Sequence, residues 1–168
     1  MSAVAALLLI LALTACGSDK PPVPVSAPKT ALDFFPLTIG GKVVRLQLAI
    51  RPDEMQRGLM DRQNLGADDG MMFIYEKPQQ MHFWMRNTPT PLDIGFFDRG
   101  GVLEEIYPLY PFDERTVSSR SERLHFAVEV NQGWFRANGI KPGAQLDLKS
   151  LVAALKARGF DPKKYGLE

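Results

Sequence analysis

Hydrophobic and polar residues alternate in short runs along most of this chain, and glycine- or proline-bearing breaks separate the runs. Val44, Leu46, Leu48 and Ile50 recur at every second position, with Arg45 and Gln47 between them. That period places alternate side chains on opposite faces of a strand. Leu37-Thr38-Ile39 precedes this run across Gly40-Gly41, which predicts a β-hairpin with a primed turn. Met81, Phe83 and Met85 alternate with His82, Trp84 and Arg86; Leu92, Ile94 and Phe96 alternate with Asp93, Gly95 and Phe97. In the clearest run, Leu124, Phe126, Val128 and Val130 point one way and His125, Ala127 and Glu129 the other. Further strands are predicted at Met71–Tyr75, at Val102–Tyr107 after the Asp98–Gly101 turn, and at Leu146–Leu148.

Helical patterns are fewer and shorter. Pro52 opens one, with Asp53 and Glu54 in its first turn and Met55 and Leu59 one turn apart. Gly58 inside that helix costs ~1 kcal/mol against alanine and implies close backbone packing. Asn131 caps a short helix through Trp134 and Phe135, and Ser150 caps a C-terminal helix carrying Leu151 and Leu155 and closed by Gly159. Pro108 to Ser121 reads as a polar surface loop. The fold class expected is mainly β (α+β): a compact, barrel-like antiparallel or mixed sheet with short helices and a C-terminal helix.

A different pattern fills the start of the chain. The apolar run from Ala3 to Leu13 is shorter than the roughly 20 residues needed to span a bilayer and has the length of a signal-peptide core. No positive side chain precedes it, a departure from the usual leader. Leu13-Thr14-Ala15-Cys16 resembles the bacterial lipoprotein signal. That resemblance implies removal of residues 1–15 and acylation of Cys16, with fatty acids such as palmitate, as a membrane anchor. A second acyl chain makes such anchoring stable. In that pattern an Asp after the cysteine retains the protein at the inner membrane; Gly17 stands here, which implies outer-membrane sorting in a two-membrane bacterium, with the domain facing the periplasm. Residues 16–31 form a lipidated, proline-rich tether, and residues 32–168 a single globular domain. At about 3.1 Å per residue the tether reaches up to ~40 Å.

The charge is nearly balanced, 20 Lys+Arg against 19 Asp+Glu, which argues against a nucleic-acid partner. With one cysteine, no internal disulfide forms, so the fold rests on its core. Ten Phe, two Trp and seven Met supply the bulk.

Phe83-Trp84-Met85-Arg86-Asn87-Thr88, continuing to Pro91-Leu92-Asp93, resembles a bacterial and archaeal family known as domain of unknown function 192. Arg57-Gly58-Leu59-Met60, Gly70-Met71-Met72-Phe73, Val128-Glu129-Val130-Asn131-Gln132-Gly133 and Gly139-Ile140-Lys141-Pro142-Gly143 agree in order. The resemblance runs from about Leu37 to Leu148 and implies a compact β-barrel-like domain. It departs at Ala144, where the family usually has Asp. It supplies no reaction.

The candidate site residues are Arg57, Trp84, Arg86, Asn87, Thr88, Asp93 and Glu129. Asp93 lies in an apolar strand, where a lone buried carboxylate is costly; Arg57 is its expected partner and Arg86 the second choice. In the plainer reading, Asp93 and Arg57 lock a loop and a helix to the sheet, and Asn87 and Thr88 satisfy the turn. In the functional reading, Trp84 offers a flat apolar face while Asn87, Asp93 and an arginine orient a polar ligand. Glu129, opposite the apolar face of its strand, reads as a solvated residue. Near Asp93, it would divide acid and base roles with it. His82 and His125 make a poor zinc set, and neither a nucleophile elbow nor a P-loop is present. Met55, Met60, Met71, Met72, Met81 and Met85 read as core filling. No metal or cofactor is expected. Three functions remain: a binding module for a small polar ligand or an envelope partner, a hydrolase using Asp93 and Glu129, and a structural accessory of envelope assembly.

Overall fold

The computed structural model describes residues 29–167; the predicted leader, Cys16 and most of the tether lie outside them. Phe35–Ile39 (β1) and Lys42–Ala49 (β2) pair antiparallel across Gly40-Gly41. Both glycines have positive φ, 56° and 81°, as the primed turn requires. Pro52–Arg57 (α1) then carries the chain to Asp69–Gln79 (β3), which runs parallel to β2. His82–Phe83 (β4) follows, then Leu92–Asp98 (β5) and Leu103–Leu109 (β6), an antiparallel pair. Val117–Ser118 (β7) pairs with β4, and Leu124–Asn131 (β8) inserts between β3 and β5. The chain closes with Trp134–Ala137 (α2), Leu148–Ala157 (α3) and a 3-10 turn at Pro162–Tyr165.

The main sheet is six-stranded and mixed, in the order β1-β2-β3-β8-β5-β6. Apolar layers cover it on both sides. One layer packs Leu46, Met72, Phe126, Val128 and Val130 against Trp134, Phe135, Leu151 and Leu155. The other packs Ala49, Met71, Phe73, Ile94 and Phe96 against Leu59, Met81, Phe83 and Met85. β8 is central and therefore buried on both faces from Leu124 to Val130. An alternating strand normally has one wet face; here the second face is capped by α1 and the β4 region.

The expected barrel is not a closed one. At one end the segment from Gly143 to Asp147 runs between the two edge strands: the Gly40 N–H donates to the Gln145 carbonyl at 2.9 Å, and the Leu146 N–H to the Gly101 carbonyl at 2.8 Å. The predicted strand at Leu146–Leu148 reduces to isolated bridges at Gln145 and Leu146, and Leu148 already begins α3. Asp147, not Ser150, caps that helix, accepting from the Lys149 N–H at 3.0 Å. Of the run Met81–Arg86 only β4 is laddered, yet Met81, Phe83 and Met85 are buried and His82, Trp84 and Arg86 exposed. The expected loop after Pro108 contains β7. Gly133 rather than Asn131 caps α2. Gly58 ends α1 instead of lying inside it, with φ of 48°, so conformation, more than close packing, explains the glycine. No helix among the described residues is long and apolar enough to cross a membrane.

Candidate functional site

α1 has six residues, none of them fully buried, and a helix this short has little stability of its own. A buried ion pair fixes it. The Arg158 guanidinium, at the end of α3, donates to Glu54 Oε1 at 2.6 Å and to the Leu48 carbonyl at 2.6 Å. Glu54 Oε2 also accepts the backbone N–H groups of Ile50 and Arg51. Burial opposes ionisation of Glu54, but these donors together outweigh it and hold the carboxyl below its usual range. One wall of a surface groove is thereby placed.

That groove, about 430 Å³ in volume, lies between α1 with its following turn and the segment after β4. Asp53, Gln56, Arg57, Met60 and Asp61 line one side; Trp84, Arg86 and Asn87 line the other. Trp84 is 44% exposed, and the Arg86 guanidinium carbon lies 5.8 Å from its ring centroid, within cation–π range. Among the described residues no carboxylate forms an ion pair with Arg57 or Arg86. Two non-glycine residues with left-handed backbone meet here: Asp61 at φ 62° and Asn87 at φ 51°. The Asp61 N–H donates to the Asn87 carbonyl at 2.8 Å. Asn and Asp tolerate this conformation better than other side chains, and strained backbone of this kind concentrates at working surfaces. Thr88 is buried beside them; its hydroxyl donates to the Arg86 carbonyl at 3.1 Å and its N–H to the Met85 carbonyl at 3.1 Å.

The groove continues downward into a crevice of about 30 Å³, lined among others by Arg57, Met60, Phe73, Phe83, Trp84 and Glu129. Glu129 is not the solvated residue its strand pattern suggested; it is 4% exposed. In register it is opposed by Met71 on β3 and Ile94 on β5, neither of which carries a side-chain donor. Among the described residues no hydrogen bond reaches its carboxyl, and burial pushes its pKa up to about 8. Nearby Tyr75 is pushed up to about 12, first by burial and then by the Glu129 charge.

Asp93 does not belong to this groove. It is registered against Val130, whereas Glu129 is registered against Ile94. Opposed residues share a face and successive residues alternate, so the two carboxyls project from opposite faces of the sheet. The expected partner Arg57, and Arg86 after it, are corrected accordingly. Asp93 Oδ2 accepts the Gly133 N–H at 2.8 Å. Burial raises its pKa, and the Gly133 N–H and the Arg136 charge offset that only in part. It lines a separate cavity of about 210 Å³ with Phe135, Arg136 and Lys141. A hydrolase that sets Asp93 and Glu129 about one bond is overturned by this register, because the sheet stands between them.

Six of the seven candidates, Arg57, Trp84, Arg86, Asn87, Thr88 and Glu129, therefore come together. The sequence missed Asp53, Gln56 and Asp61 in the mouth and Phe73 and Phe83 in the crevice. The rings were legible only as core residues, and nothing in a single sequence tells which core ring borders a cavity. No cluster of three or more His, Cys, Asp or Glu among the described residues could hold a metal ion.

Comparisons with known proteins bear on the family and the fold. The model of the family DUF192, described as an uncharacterised ACR, matches residues 35–148. A crystal structure of a protein of unknown function from Novosphingobium aromaticivorans DSM 12444 is 33% identical, with a TM-score of 0.65, covering 78% of this chain and 99% of that one. A crystal structure described as a "putative transcription regulator" from Sinorhizobium meliloti 1021 is 27% identical, with a TM-score of 0.63, covering 69% of this chain and 95% of that one. No curated protein matches the sequence.

Proposed function

The chain belongs to the DUF192 family, and we propose that its globular part is a binding module for a small polar ligand, carried on a lipid anchor at the cell envelope. One observation carries the reading: a half-exposed indole and two arginines without carboxylate partners border one concavity above a buried acid. Aromatic surface with a few convergent polar groups is the usual make-up of a small-molecule site. A purely structural accessory would not need a groove, nor strained Asp61 and Asn87 at its rim. The balanced charge gives no reason to extend a regulator's role on nucleic acid to this chain.

The anchor rests on Leu13-Thr14-Ala15-Cys16 and the proline-rich stretch behind it. Acylated Cys16 would hold the domain at the membrane, periplasm-facing, and Gly17 favours the outer membrane where there are two.

The test is native mass spectrometry of the full chain purified from its own envelope, followed by the same measurement on Trp84→Ala. A small molecule that copurifies with the wild type and is lost from the variant is the expected result. A wild type that carries nothing, and whose Trp84 and Asn87 NMR resonances ignore a fragment library, would overturn the reading.

A further inference from the structure

We propose that the crevice beneath Trp84 is a subsite for the primary ammonium group of a small zwitterion, with the Glu129 carboxylate as counter-ion and the rings of Phe73, Phe83 and Trp84 as a collar. The proposal rests on the groove being a ligand site and names the ligand's class.

Four features lead to it. Glu129 is nine-tenths buried and lines the crevice, and no donor within the described protein reaches its carboxyl. A buried polar group without a partner is costly, so a donor arriving from outside has most to gain here. The crevice holds about 30 Å³, room for one water-sized group. A primary ammonium fits and a trimethylammonium does not. The walls are rings and thioether carbons: Phe73 and Phe83 meet edge to face at 4.8 Å, with Trp84, Met55 and Met60 around them. Such walls strengthen a cation's attraction to a carboxylate by excluding water. An anion in the same place would have no counter-ion in Glu129 and would be repelled once that carboxyl ionises. The fourth feature is Arg57, which lines both crevice and groove. Its charge disfavours a bare amine but suits a ligand whose own carboxylate follows the ammonium, with Arg86 close by at the mouth.

In the free protein Glu129 is protonated at neutral pH, its pKa being raised to about 8. Seating a protonated primary amine forms an ion pair between the Glu129 carboxylate and the ligand's ammonium, and releases the carboxyl proton to solvent. The charged and titratable groups facing Glu129 are Tyr75 of β3, itself raised to about 12 and so neutral, and Arg57 of α1. Ile94 of β5, together with Phe83, Trp84 and Thr88, brings no titrating group.

The experiment uses the full chain, in detergent where it is acylated, and the series glycine, β-alanine, 4-aminobutyrate and 6-aminohexanoate. Controls are propylammonium, propionate and propanol. The expected result is saturable binding of at least one zwitterion, with shifts at Trp84 and at the Glu129 carboxyl carbon and a lowered Glu129 titration midpoint. Affinity should rise with pH up to about 8, and Glu129→Gln should weaken it by at least about tenfold. The carboxyl-carbon titration needs no variant and so stands even if Glu129→Gln folds poorly. Zwitterions or controls that shift Trp84 and Arg86 while leaving Glu129 unmoved would overturn the ammonium subsite and leave the groove reading intact. No shift at any groove residue with any probe would overturn both.

Discussion

Asp93 and Glu129, one step apart in the β5–β8 register, face opposite sides of the sheet, Asp93 with Val130 and Glu129 with Ile94. The two acids therefore answer to different surroundings: one accepts a backbone N–H beside α2, the other lies bare at the base of a crevice.

Independence of the two is the first expectation. Asp93→Asn keeps an oxygen for the Gly133 N–H, so it should change stability by no more than ~1 kcal/mol and leave groove binding unaltered. Combined with Glu129→Gln, the changes should add within about 0.5 kcal/mol. Urea unfolding of the two single variants and the double variant measures this; a larger coupling would contradict the opposed-face arrangement.

Stability should fall as pH rises from the ordinary glutamate range toward 8. The folded carboxyl of Glu129 has a pKa raised to about 8, above its unfolded value of roughly 4.3. Between those limits the folded chain holds a proton that the unfolded chain has lost, so its stabilising effect is present at low pH and disappears as pH passes through the folded value. The slope approaches about 1.4 kcal/mol per pH unit at most. Glu129→Gln should abolish this part of the slope and exceed the wild type in melting temperature at pH 8.

The pair Arg158–Glu54 carries the groove wall. Its side chains are 2% and 10% exposed and 2.6 Å apart. Removing one partner of a buried pair typically costs about 3–5 kcal/mol, so Arg158→Met should lose roughly that much in chemical denaturation. It should also loosen α1, read as faster hydrogen exchange at Met55 and Gly58. Because the folded Glu54 carboxyl is held low, its contribution is present above the unfolded pKa and is lost as pH falls through the folded one.

Trp84→Ala removes a ring that is 44% exposed, so its effect on stability should stay within ~2 kcal/mol. Ligand-dependent fluorescence should vanish with it, leaving only the buried Trp134 signal. Retention of the full response would assign it to Trp134 and remove Trp84 from the site.

Lipidation is tested by labelling. Cells fed radiolabelled palmitate should label the wild type but not Cys16→Ser, and the variant should leave the membrane fraction. Normal fractionation of the variant would rule out the anchor.

What the sequence determined by itself was local. The Gly40-Gly41 hairpin, the alternation from Met81 to Arg86 and the strand from Leu124 to Val130 follow from side-chain period and turn chemistry, which neighbouring residues alone impose. Six of the site residues were found because they lie in the motifs Arg57–Met60, Phe83–Thr88 and Val128–Gly133. The tertiary structure decided the rest. Whether the polar face of β8 is wet depends on α1 and the β4 region folding over it, and whether Asp93 meets Glu129 depends on the register of two strands far apart in the chain. The guanidinium that enters the interior is Arg158, from the far end of the chain, and not Arg57. Long-range pairing sets each of these, and a one-residue change of register would have reversed the faces.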